Sequence, residues 1–249
     1  MQSKPRISFI VPALNEEKNV ERTVSQVSAA SEGRVAEYEI VLINDGSTDR
    51  TGQIMDELAR RDPRIRVFHN EQNLGLGRTY RRGVDVARFE YVMGVWGDNP
   101  MPTASLACIL EHVGEADLVV SYVTNFRQVK SLPRYIGSRG YTILLNLLFN
   151  MRLNYFNGYA VHRTELLRAI NITSTGFGYQ AEIIVKLHKL GHSYVEVGVE
   201  SVYETTPSAA LRIRNLLTVA KTIIHLVSEV RRLPRPTAVT ATAEKNSPQ

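Results

Sequence analysis

Four times within residues 6 to 113, a short apolar run gives way to a polar turn and then to helical spacing. The runs are Arg6 to Val11, Tyr38 to Ile43, Ile65 to Phe68 and Tyr91 to Val95. The helical stretches that follow run from Asn15 to about Ala30, from Thr48 to about Arg60, from Arg78 to Ala87 and from Thr103 to Val113. Runs apolar on both faces suit parallel strands covered by helices on each side. Strands alternating with helices at this spacing predict right-handed crossovers and an α/β fold, a mostly parallel sheet flanked by helices.

Ligands of open α/β sheets bind outside the carboxyl ends of the strands, so the turns leaving these strands are where chemistry is expected. Three of them carry acids or glycines: Pro12 to Glu16, Asn44 to Asp49 and Gly97 to Asn99. Asp98 is a lone carboxylate just past its strand, followed by Asn99 and a turn broken by Pro100 and Pro102. That arrangement suits a divalent metal held between a carboxylate and a substrate diphosphate. It suits equally a cap for the helix that starts near Thr103. Asp45 fits a turn-forming Asp as well as a ligand contact, Glu16 fits a first-turn acid as well, and Ser47 or Thr48 can cap the second helix.

The second half has a different rhythm. Asp117 to Tyr122 is a strand, Asn125 to Arg139 is basic and irregular, and Gly140 to Met151 is a helix apolar on most faces. A strand near Tyr159 to Val161, a helix from Gly178 to Leu190 and an edge strand from Ser193 to Val199 follow. In Leu211 to Val230, apolar residues recur at three and four with Arg214, Lys221 and Glu229 opposite, which predicts an amphipathic helix. The expected division is therefore one domain over residues 1–205, an amphipathic helix over 206–230 packed on the domain or a membrane surface, and a disordered basic tail over 231–249.

Charge sets limits on partners. The chain of 249 residues carries a net +5. The tail from Arg231 to Gln249 accounts for +3 of it and leaves +2 for the body, so a nucleic-acid partner is not expected. No run approaches the roughly 18 to 20 apolar residues of a spanning helix. The polar Met1 to Pro5, followed by an apolar run that stops at Pro12, predicts no secretory signal. The lone Cys108 excludes an internal disulfide and suggests a reducing compartment. Gly75-Leu76-Gly77 lacks the third glycine of a dinucleotide fingerprint, and Gly191 ends the helix between His188 and His192, which argues against a metal pair.

In this order, four segments resemble the family-two glycosyltransferases of GT-A, Rossmann-like fold. They are Ile10-Val11-Pro12-Ala13-Leu14-Asn15-Glu16-Glu17, Asn44-Asp45-Gly46-Ser47-Thr48-Asp49-Arg50-Thr51, Asn73-Leu74-Gly75-Leu76-Gly77 and Gly97-Asp98-Asn99. Asn157-Gly158-Tyr159 before His162-Arg163, Gly176-Phe177-Gly178-Tyr179-Gln180-Ala181-Glu182 and Gly191-His192-Ser193-Tyr194-Val195-Glu196-Val197 are similar to the dolichol- and polyprenyl-phosphate sugar transferases. The resemblance implies inverting transfer from a GDP- or UDP-sugar to a polyprenyl phosphate, with Mg²⁺ or Mn²⁺ as cofactor; the alternatives are transfer to a saccharide or lipid hydroxyl, or a non-catalytic protein that binds a sugar nucleotide. The nucleotide pocket would comprise Pro12, Ala13, Glu16, Asp45 and Asn99, with Asp45 accepting a hydrogen bond from the base. Asp98 would hold the metal and Glu182 would lie near the reacting centre, unless it is a solvated helix residue. Asn44 and Trp96 stand where the family usually has acids, and Tyr203-Glu204-Thr205-Thr206 where it often has an acid and Arg. Arg127, Lys130 and Arg134, with Arg139 beyond them, precede the apolar helix and suit the phosphate of a lipid acceptor. They suit equally solvated arginines around a core helix. The implied place is the cytoplasmic face of a membrane, with the membrane surface and a membrane-protein partner as further expectations.

Overall fold

A computed structural model of the chain describes residues 4–98, 101–129, 131–176, 178–202 and 213–234, with side chains of 213–222 left out. Strands β1 (Arg6–Ala13), β2 (Glu37–Asn44), β3 (Ile65–His69), β4 (Tyr91–Gly94), β5 (Leu118–Val123), β6 (Ala160–Arg163) and β7 (Tyr194–Val199) form one sheet in the order β3-β2-β1-β4-β6-β5-β7. Only β6 runs antiparallel to its neighbours β4 and β5; the other pairs are parallel. The mostly parallel sheet flanked by helices is as expected, with β3 and β7 at its edges.

Alternation along the strands feeds two cores. Ile7, Phe9 and Val11 of β1 and Ile40 and Leu42 of β2 point to one face. Helices α1 (Val20–Ser31), α2 (Thr51–Arg61) and α4 (Thr103–Glu111) cover that face with Val24, Val27, Met55, Leu106 and Ile109. Ile10, Val41 and Ile43 point to the other face. It is covered by α3 (Leu76–Val86), α6 (Leu132–Phe149), α7 (Thr164–Ala169), α8 (Tyr179–Lys189) and α9 (Ile213–Arg232). A short α5 (Phe126–Val129) precedes α6. Burying both faces of the central strands makes the sheet a rigid platform, since each fully buried aliphatic side chain contributes about 1.5–3 kcal/mol.

Register sets where the loops emerge. β1 and β2 pair over eight positions, from Arg6 opposite Glu37 to Ala13 opposite Asn44, so both strands end flush. β4 ends earlier, with Gly94 opposite Ile10, but its chain stays on β1 through bonds from Val95 N to the Ile10 carbonyl and from Gly97 N to that of Pro12. Asp98 therefore arrives level with the end of β1.

Two expectations are corrected. Among the described residues of 125–139 most are helical: α5 takes Phe126–Val129, and α6 begins at Leu132, eight residues before the predicted Gly140, because Pro133 falls in its first turn, where a missing N–H costs nothing. Helix α1 begins at Val20, not Asn15, because Asn15 takes a left-handed φ of 57° and cannot open a right-handed helix. Among the described residues no helix is long and apolar enough to cross a membrane. The boundary at residue 205, the segment Tyr203 to Thr206 and the tail from Arg235 lie outside the described residues.

Gly158 enters β6 against Ser121 of β5, and a Cβ there would collide with the Ser121 carbonyl, a backbone atom that cannot swing aside. Gly158→Ala is expected to cost about 3 kcal/mol or more, at the upper end of overpacking penalties, read as a lower urea midpoint with an unchanged slope.

Candidate active site

Ala13 is the hub of the carboxyl edge. Its carbonyl accepts a bond from Asp45 N (2.9 Å), while the carbonyl of the preceding Pro12 accepts one from Gly97 N (3.1 Å). Three loops distant in sequence thus leave the sheet side by side. Asn15 laces the first to the second: its Oδ1 accepts from Thr48 N (2.9 Å), and its N–H donates to Ser47 Oγ (3.0 Å). Ser47 and Thr48 are committed there rather than capping α2, whose N-cap is Arg50 with no side-chain cap bond. Helix α1 fixes the third loop, Thr23 Oγ1 donating to the Gly97 carbonyl and Arg22 Nη2 to that of Asp98, both at 2.8 Å.

Asp45 is 4% exposed, and its carboxylate takes three bonds: from Asn70 Nδ2 (2.8 Å), Leu74 N (2.9 Å) and Gly75 N (3.1 Å). A carboxylate offers about four acceptor positions. Asp45 therefore anchors the loop before α3 and keeps about one acceptor position to spare. Asp98 is exposed, and it does not cap α4, whose N-cap is Pro102. Across from it, burial first and then the carboxylate charges of Asp98 and Asp49 hold Glu16 above the usual carboxylate range, against a hydrogen bond from Asn19 Nδ2. Glu16 and Asp98, from different loops, thus share one electrostatic environment.

Among the described residues no group of three Asp, Glu, His or Cys could cage a metal. The donor set fits a hard divalent cation that takes one or two carboxylate oxygens and completes its shell with phosphate oxygens and water; it does not fit a four-ligand zinc site. Trp96, which stands where the resemblance implies a second acid, is half-buried and packs on Tyr159 with ring centroids 4.5 Å apart. Its indole N–H is buried with no hydrogen-bond partner of good geometry, as is the hydroxyl of the fully buried Tyr80, which packs on Tyr179 at 4.8 Å. Trp96, two residues before Asp98, is thus set on a buried aromatic ring. His162, by contrast, is buried in the sheet and pushed down to about 3 by burial, so it stays neutral.

Glu182 is 1% exposed and spent on internal bonds. It accepts from Thr173 N (2.8 Å), Thr173 Oγ1 (2.9 Å), Ser174 N (2.8 Å) and the buried Lys186 Nζ (2.6 Å). Burial alone would raise its pKa, but these donors, Lys186 foremost, hold it below the usual range. It is neither a solvated residue nor poised to take a proton.

The basic segment forms a second cavity, about 560 Å³, between the end of β5 and α6, with Asn125, Arg127, Gln128, Ser138, Arg139 and Asn154 in its wall. Arg127 stacks on Tyr135 at 5.2 Å. Arg139 lines this cavity and Arg134 does not, a distinction hidden from the sequence until α6 is known to start at Leu132 and to place Tyr135, Ser138 and Arg139 on one face. Leu132, Ile136, Ile143, Leu144, Leu147 and Leu148 of the same helix are exposed, Leu147 by 78%. Asn99 and Lys130 lie outside the described residues.

Comparison with known proteins identifies the family and the fold. A family model described as "Glycosyl transferase family 2" matches residues 8–185. The undecaprenyl-phosphate mannosyltransferase of Micrococcus luteus is 28% identical over 215 residues, covering 79% of this chain and 84% of the relative. The polyprenol monophosphomannose synthase of Mycolicibacterium smegmatis is 28% identical over 207 residues, covering 78% and 76%. Among solved structures, glucosyl-3-phosphoglycerate synthase from Mycobacterium tuberculosis, in complex with Mn²⁺, UDP and glucosyl-3-phosphoglycerate, superposes with a TM-score of 0.65 at 20% identity over 92% of this chain and 81% of that one.

The raised Glu16 gives a pH test. Its ionisation opposes folding: the penalty is absent where the carboxyl is protonated in both states, and is complete above the folded-state pKa. Glu16→Gln should therefore raise the melting temperature at pH 7, and the gain should vanish near pH 3, as thermal denaturation at the two pH values will read.

Proposed function

The chain belongs to glycosyl transferase family 2, has the GT-A fold, and is a glycosyltransferase; from this premise we propose that it moves a sugar, with inversion, from a nucleotide-diphosphate sugar to a polyprenyl phosphate at the cytoplasmic face of a membrane. The observation that carries this reading is the cationic cavity between β5 and α6 opening beside the exposed aliphatic stripe of α6. Arg139 lies four residues from Tyr135 on one side and from Ile143 on the other, so it borders both cavity and stripe. Arginine pairs with phosphate oxygens through two parallel N–H groups, while six exposed aliphatic residues on one helix suit burial among acyl chains. The names of the two mannosyl-transferring relatives agree with this acceptor class.

In this reading Pro12, Ala13, Glu16 and Asp45, with Asn99, receive the nucleotide. Asp98, with Glu16 beside it, would hold Mg²⁺ or Mn²⁺, which supplies charge neutralisation to the diphosphate when bound. Arg127 and Arg139 hold the acceptor phosphate, with Lys130 and Arg134 assisting from the same segment. Trp96 and Tyr159 wall the space beside Asp98 and exclude water from it. The commitment of Glu182 also favours this acceptor: a phosphate monoester is largely dianionic at neutral pH and attacks without a general base, whereas a hydroxyl needs one. Neither the fold nor the named relatives support a membrane-protein partner.

Two experiments test the reading. In calorimetric titrations with UDP and with GDP, Asp45→Ala is expected to weaken binding whether or not Mn²⁺ is present, and Asp98→Ala to remove mainly the Mn²⁺-dependent part; equal, metal-independent losses would refute the assignment. On the acceptor side, Arg127→Ala and Arg139→Ala should each raise the KM for polyprenyl phosphate by roughly tenfold or more, the worth of one charged hydrogen bond, and leave nucleotide affinity unchanged. Wild-type KM values in both variants would remove the lipid phosphate from the site.

A further inference from the structure

A buried lysine outside the cleft connects the C-terminal helix to the donor loops. Lys186 is 3% exposed, and its ammonium spends its three N–H groups on Glu182 Oε1 (2.6 Å), Glu229 Oε2 of α9 (2.7 Å) and the Asn171 carbonyl (2.5 Å). Glu182 in turn gathers the backbone N–H groups of Thr173 and Ser174. The strap from Thr173 to Thr175 then lies against the start of α3: the Thr175 carbonyl accepts from Gly77 N at 3.0 Å. A Cβ on Gly75 would come within 2.6 Å of that oxygen, and one on Gly77 would collide with the Ser174 carbonyl. Only glycine admits the strap so closely. Gly75 and Leu74 are the residues whose N–H groups hold Asp45. Hydrogen bonds joined by two short stretches of chain, Thr173 to Thr175 and Gly75 to Gly77, therefore connect Glu229 through Lys186 and Glu182 to Asp45.

We propose that Lys186 is a positioning residue for the donor pocket, and that Glu229 makes α9 part of the apparatus that sets nucleotide affinity. The proposal rests on the reading of the Asp45 loop as the nucleotide site. Physically, the strap has one seat while Lys186 bridges two carboxylates. Without the bridge, Glu182 and Glu229 repel each other in a poorly solvated place, the strap loosens, and the N–H groups that orient Asp45 lose their backing. Because α9 carries one of the two acids, movement of that surface helix is transmitted to the nucleotide.

The test uses the full chain, with UDP and GDP as probes in the presence of Mn²⁺. Glu229→Gln keeps the buried Lys186–Glu182 pair, and is expected to weaken the nucleotide that the wild type binds by roughly fivefold, a typical coupling between sites, and to speed hydrogen exchange at the Gly75 and Gly77 amides. Lys186→Met should do more; if it does not fold, Glu229→Gln decides alone. Ile184→Val, a core change on the same helix, controls for general loss of stability: it should lower the melting temperature and leave affinity unaltered. Wild-type affinity or wild-type amide protection in Glu229→Gln overturns the proposal, as does an equal loss of affinity in Ile184→Val. A wild-type protein that binds neither nucleotide overturns the donor reading itself, and the proposal with it.

Discussion

The pairing of β1 with both β2 and β4 is the constraint on which the cleft depends. Because Ala13 and Asn44 end flush and the chain after β4 stays hydrogen-bonded up to Pro12, three loops are delivered to one level with little freedom left to them. A one-residue slip in either pair would turn every side chain to the opposite face and part Asp45 from Asp98. The two apolar cores resist that slip: Ile40 and Leu42 fill one, Val41 and Ile43 the other, and a slip would exchange them.

On this platform, acids in similar settings take different roles. Asp45 and Glu182 are both nearly inaccessible, yet Asp45 keeps acceptor capacity at the rim of the cleft while Glu182 is saturated by Lys186 and the strap. Glu16 and Asp98 are more open and repel one another, the state in which a pair of carboxylates gains most from a cation. Burial alone would not have sorted these four residues. The hydrogen-bond partners do.

Much of this was legible in the sequence because the signals are local. Short continuous apolar runs and turns rich in Asn, Asp, Gly and Pro located the strands and the three loops within a residue or two, and the fold class followed from the alternation of strand and helix. The start of α6 was not legible, since Pro133, Gly137 and Gly140 read as breakers until the helix is seen to begin just before the proline. The sequence groups Arg134 and Arg139 together ahead of the helix, and only the start at Leu132 separates Arg139, which lines the cavity, from Arg134, which does not. The role of Glu182 was hidden for a different reason: a Glu four residues before a Lys is a common surface pair, and only tertiary packing buries this one beneath Glu229 of α9. Ser47 and Thr48 had the chemistry of helix caps, but Asn15, from another loop, competed for them and won.

Under the proposed lipid-phosphate acceptor, the exposed aliphatic stripe on α6 changes what concentration means for the catalyst. An acceptor dissolved in a bilayer is met in two dimensions, so its supply to the Arg127–Arg139 cavity depends on its mole fraction among the other lipids and not on its amount per volume. In the same reading the donor arrives from bulk water. The catalyst would then read a surface density for one substrate and a solution activity for the other, and diluting the membrane with inert lipid would slow the reaction even though no solute had been diluted.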